Sequence, residues 1–170
     1  MGSRRHVGWY AAFALVPGLA AVACGDVVCG DHKRSQRATA PRIEEVALAG
    51  HIQGDPWSPV FALSFHDSDG DLAAGGGQVY SGSSTKPNDL PLADLFDDGG
   101  IDRGATRGIL GLALIFSDSV DTGDRAELGF QLLDGSGQRS NCYTVDLLFS
   151  VQHAAGEVFP IVSVEQSLDP

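Results

Sequence analysis

Apolar residues fall along this chain in two different patterns. From residue 7 to residue 23 they run on without a charge, and from residue 42 onward they alternate with polar ones. "FALSF" puts Phe61, Leu63 and Phe65 on one face. "AELGFQLL" does the same for Ala126, Leu128, Phe130 and Leu132, and "YTVDLLFSV" for Tyr143, Val145, Leu147, Phe149 and Val151. A period of two marks half-buried strands. "ILGLALIF", residues 109 to 116, is apolar on both faces and reads either as a well-covered central strand or as a short helix. Turn clusters such as DDGGIDRG, DSVDTGD and DGSGQ separate the runs. Seven strands are predicted, at about 42–50, 58–66, 76–82, 89–95, 108–117, 124–133 and 141–151. A further segment near 158–165 suits a sheet edge, because Pro160 has no N–H to give a second neighbour.

Short alternating strands joined by turns predict an all-β fold, an Ig-like antiparallel β-sandwich of about seven strands. Two stretches strengthen this. "FHDSDGDLAAGGGQVY" resembles the strand, Asp-rich turn and next strand of bacterial Ig-like and cadherin-like modules, and "LLDGSGQRSNCYTVDLLF" resembles the turn into their final strand. The resemblance spans roughly residues 42 to 151 and implies an extracytoplasmic binding or structural module. The paired cysteines and core Trp of antibody domains are missing from the corresponding strands.

The uninterrupted apolar run has a different meaning. Arg4 and Arg5 precede it, and Ala21 and Ala23 end it just before Cys24, the layout of an export signal. At about 17 residues, broken by Pro17 and Gly18, it is short for a permanent membrane span. "AVAC" resembles the lipobox of bacterial lipoproteins, which implies that Cys24 becomes the first residue and carries lipid; Ala21 stands where that motif usually has Leu. With Cys24 so used, Cys29 and Cys142 are left to pair in an oxidising compartment. The alternation supports this pairing, since it turns Cys142 away from the face that holds Tyr143. The expected organisation is a signal peptide helix at 1–23, a flexible lipid-anchored tether at 24–41, the sandwich at 42–151 and a C-terminal extension at 152–170.

Charge narrows the partners. The chain has 11 basic and 22 acidic residues; removing 1–23 takes away Arg4 and Arg5 and leaves a net charge of −13. That balance disfavours nucleic acid and direct adsorption to anionic lipid. The acids are also concentrated. In an Ig-type sandwich the second, fourth and sixth interstrand connections share one end. They hold Asp67, Asp69 and Asp71, then Asp97, Asp98 and Asp102, then Asp134. Hard cations such as calcium are bound by several such oxygens, so these seven residues form the candidate Ca2+ site. It is not an EF-hand, because Gly70 falls at loop position 4 and Gln78 stands where the closing Glu belongs.

No nucleophile elbow, phosphate loop or zinc spacing occurs, and the histidines are scattered. The sequence therefore points to a non-enzymatic lipoprotein of the outer membrane or cell surface. It is expected to be held to the membrane through Cys24, with its sandwich either docking a protein or glycan partner or serving as a structural component of the envelope. The alternative from a different class is a soluble secreted sandwich hydrolase or carbohydrate-binding module.

Overall fold

The alternating runs become the inner faces of two sheets. The computed structural model describes residues 12–16, 29, 37–82, 86–116, 121–154 and 157–165. Their strands are β1 (Ala12–Val16), β2 (Arg42–Ile52), β3 (Asp55–His66), β4 (Gly76–Ser81), β5 (Asn88–Leu90), β6 (Arg107–Phe116), β7 (Arg125–Leu133), β8 (Tyr143–Ala154) and β9 (Glu157–Glu165). One helix, α1 (Leu92–Asp98), lies between β5 and β6. The first sheet has the order β1-β6-β3-β2 and the second β5-β4-β7-β8-β9. All neighbours are antiparallel except β1, which runs parallel to β6. The fold is an all-β sandwich.

The residues that alternate in sequence do face inward. Phe61, Leu63 and Phe65 of β3 and Leu110, Leu112 and Leu114 of β6 meet Leu128, Phe130 and Leu132 of β7 and Val145, Leu147 and Phe149 of β8 in one core. Phe61 crosses the gap to Phe130 with ring centroids 5.5 Å apart, and Phe149 meets Phe116 edge-on at 5.4 Å. "ILGLALIF" is a strand: its alternate residues Leu110, Leu112 and Leu114 point into the core, and Ile109 on the other face is exposed. Pro160 lies in β9, at the edge of its sheet.

Three expectations change. The strand expected at 89–95 is only Asn88–Leu90, followed by Pro91 and α1. Leu90 and Leu92 fit a period of two, but Leu92, Leu95 and Phe96 recur at helical spacing and are all buried on one side of α1. Proline cannot donate to a strand ladder, and its fixed φ suits a helix start. Secondly, Ala12–Val16 is not helical. It pairs with Leu112–Phe116, supplying backbone partners to an edge of β6 that would otherwise lack them. The rest of the expected signal, and Cys24, lie outside the described residues. Thirdly, β8 runs past the expected end at 151 to Ala154, and there it pairs with the expected edge segment, β9.

Among its described residues, the expected tether meets the sandwich at Cys29 and again at Thr39 to Pro41. Cys29 and Cys142 form a disulfide with Cα atoms 5.9 Å apart. Cys142 is exposed just ahead of β8, and Cys29 is buried against Tyr80 on the outer face of β4. Further on, Gln138 Nε2 donates to Thr39 Oγ1 at 3.0 Å, and Ala40 and Pro41 are buried. Asn141 then clamps the start of β2, accepting from Ile43 N at 2.9 Å and donating to Ile43 O at 3.1 Å. The segment expected as a tether is thus tied to the β7–β8 connection at Cys29 by the disulfide and at Thr39 by Gln138.

The disulfide closes a sequence separation of 113 residues. A loop of that length restricts the unfolded chain enough to stabilise the fold by up to roughly 5 kcal/mol. Reduction should therefore lower the urea midpoint, and a Cys29→Ser, Cys142→Ser double variant should match the reduced protein. Equal midpoints for oxidised and reduced chains would show that the staple adds nothing.

Candidate cation site at the acidic loop end

Two turns meet at one end of the sandwich. The first, Asp67 to Asp71, follows β3. Asp67 is fully buried, and its Oδ2 accepts from the backbone N–H of Asp71 at 3.0 Å and of Leu72 at 2.9 Å. These bonds curl the chain into the short 3-10 turn Leu72–Ala74. Asp67 N donates to Thr106 O at 2.8 Å, which brings in the segment ahead of β6. Gly70 permits that approach, having a φ of +71° and a position where a Cβ would lie 2.6 Å from Gly104 O.

The second turn follows β7. Asp134 is buried, and its Oδ1 accepts from Ser136 N at 2.9 Å, Ser136 Oγ at 2.8 Å and Gln138 N at 2.7 Å. The turns are tied to each other where Gly135 N donates to Asp71 O at 3.1 Å. Beside this bond Gly75 lies so close to Leu133 O that no Cβ would fit.

The result is four carboxylates, from Asp67, Asp69, Asp71 and Asp134, each placing an oxygen within 4.8 Å of the others. Asp67 Oδ1, Asp71 Oδ1 and Asp134 Oδ2 are buried and have no hydrogen-bond partner. Asp67 and Asp134 each use one oxygen to build their own turn and leave the other free. Asp69 is exposed and marks the solvent side. Among the described residues this is the one group of His, Cys, Asp or Glu side chains able to share an ion.

Crowded carboxylates resist ionisation. Burial, followed by the neighbouring carboxylate of Asp69, pushes the Asp67 carboxyl up to about 6. Burial also raises Asp71, with the charges of Asp134 and Asp69 adding to it.

The other three candidates do not join. Asp97 takes a two-pronged contact from Arg103, Nε to Oδ1 at 2.9 Å and a second guanidinium nitrogen to Oδ2 at 2.5 Å, which holds its carboxyl below the usual range. Asp102 Oδ1 accepts from Gly104 N at 2.7 Å, and Asp98 is exposed at the end of α1. This connection contains a helix, and what it sets against the Asp67–Asp71 turn is the backbone carbonyls of Gly104 and Thr106 and no carboxylate. The sequence reading missed Ser136 and Gln138, which orient Asp134; the turn cluster DGSGQ was their only signal.

Gly75→Ala should destabilise the fold by about 1–3 kcal/mol, read from denaturant midpoints, because the added methyl has to push apart the two turns. A change under a few tenths of a kcal/mol would mean that the turns are not in contact. Asp67 gives a pH prediction. Its folded value lies above the ordinary 3.8, so its proton stabilises the metal-free fold fully below about pH 4, and that contribution is lost as pH rises through about 6. In chelator, the wild-type melting temperature should fall relative to Asp67→Asn between pH 4 and pH 7. A constant difference would refute the shift.

No family model, curated protein or solved structure matches the chain.

Proposed function

We propose that the chain is an exported lipoprotein of the outer membrane or cell surface whose mature part is a non-catalytic β-sandwich for binding or display. The observation that carries this reading is the disulfide. It uses Cys29 and Cys142 and leaves Cys24 as the odd cysteine. That cysteine stands in the lipobox-like "AVAC", behind two arginines and an apolar run. A stable disulfide suits an oxidising compartment. Among the described residues no helix is long and apolar enough to cross a membrane, and a lipid on Cys24 would supply the attachment.

The acidic loop end is the binding end, available to a protein or glycan partner. Loops displayed at one end of a rigid sandwich are where such folds carry recognition. The two most buried carboxylates there are each committed through one oxygen to their own turn, which suits a fixed holder better than a proton shuttle. The net negative charge continues to argue against a nucleic-acid partner.

Intact mass of the membrane-extracted protein, with non-reducing peptide mapping, tests this. The expected result is a chain beginning at a diacylglycerol-modified Cys24 together with a linked Cys29–Cys142 peptide. An unmodified chain released to the medium would overturn the anchor and favour a soluble secreted module.

A further inference from the structure

We propose that Asp67, Asp69, Asp71 and Asp134 bind one calcium ion, which locks the turn after β3 to the turn after β7. The acidic cluster alone would not carry this, since acidic turns are common on an acidic protein. The independent observation is the set of buried oxygens without partners. Asp67 and Asp134 are 0 % and 2 % exposed, yet Asp67 Oδ1 and Asp134 Oδ2, together with Asp71 Oδ1, meet no donor. A buried polar atom left unpaired is costly, and several facing each other as carboxylates are more so. A cation between them turns that repulsion into attraction.

The arrangement is also prepared in advance. The second oxygen of Asp67 and of Asp134 is held by backbone N–H groups, so neither side chain has to be ordered when the ion arrives. The two turns are already joined through Gly135 N and Asp71 O. Exposed Asp69 leaves one side open to solvent for entry.

The ligand set selects among cations. Calcium takes six to eight oxygens at about 2.3–2.6 Å, so its ligands can lie roughly 5 Å apart. Oxygens within 4.8 Å of one another can therefore share one calcium ion, with water completing the shell on the Asp69 side. Magnesium keeps several waters and usually takes only one or two carboxylates. Soft metals prefer sulfur or imidazole, and the group contains neither. The inference stands on this geometry whether or not Cys24 carries lipid.

The test uses the purified, disulfide-intact chain stripped with chelator. Calcium should bind with one-to-one stoichiometry by calorimetry. At a hundredfold excess over Kd it should raise Tm by roughly 10 °C, and chelator should reverse the rise. Magnesium at the same concentration should give a much smaller shift. Asp69→Asn, at an exposed position, should weaken calcium binding by at least roughly tenfold without lowering the metal-free Tm. Asp98→Asn should leave binding and Tm unchanged. Absence of any heat or Tm shift with calcium would overturn the proposal. So would an undiminished response in Asp69→Asn, or equal responses to calcium and magnesium, since either would mean general screening of an acidic surface.

Discussion

A strand sends successive side chains to opposite faces, and four long strands of this chain keep one of those faces apolar. Facing β3 and β6 towards β7 and β8 removes both apolar sets from water at once, with Phe61 against Phe130 across the gap. The remaining architecture follows from that demand. A sandwich closed in this way has no room for polar side chains between its sheets. They are sent to the outer faces or to the turns at the two ends. That sorting is why the acidic residues after β3 and after β7 gather at one end.

At that end the fold accepts an electrostatic cost. Asp67 and Asp134 lie out of solvent, and each builds its own turn by accepting backbone N–H bonds through one oxygen. The bonds that shape the turns therefore also aim the second oxygens inward, towards Asp71 and towards each other. Local turn chemistry and the crowding of charge are one feature here. Gly75 and Gly135 lack the Cβ that would push the two turns apart, and the bond from Gly135 N to Asp71 O links them.

The outer face of the second sheet solves a different problem. Tyr80 points away from the core, yet it is buried, because Cys29 is bonded to Cys142 beside it. Gln131 is buried on the same face and is satisfied by Ser140 O at 3.3 Å and by Arg139, which also reaches Gln78. The disulfide thus holds Cys29 against Tyr80 on an outer face that secondary structure alone would have left wet.

Strand positions, the inward set of residues and the turns between them could be read locally, because the period of two is a property of neighbouring residues. The pairing of Cys29 with Cys142 was legible from cysteine arithmetic and from the outward direction of Cys142. Helix α1 was not, since Leu90 and Leu92 fit a strand as well as the start of a helix, and only burial of Leu92, Leu95 and Phe96 on one side decides between them. Seven aspartates could be assigned to one end from topology. Which of them meet depends on side-chain direction and competing partners, as Arg103 on Asp97 shows. By itself the sequence determined the sandwich and the acidic character of one end, because both follow from pattern and order along the chain. Only the tertiary structure decided that Asp67, Asp69, Asp71 and Asp134 form the cluster, because burial and unpaired oxygens arise from contacts between segments far apart in the chain.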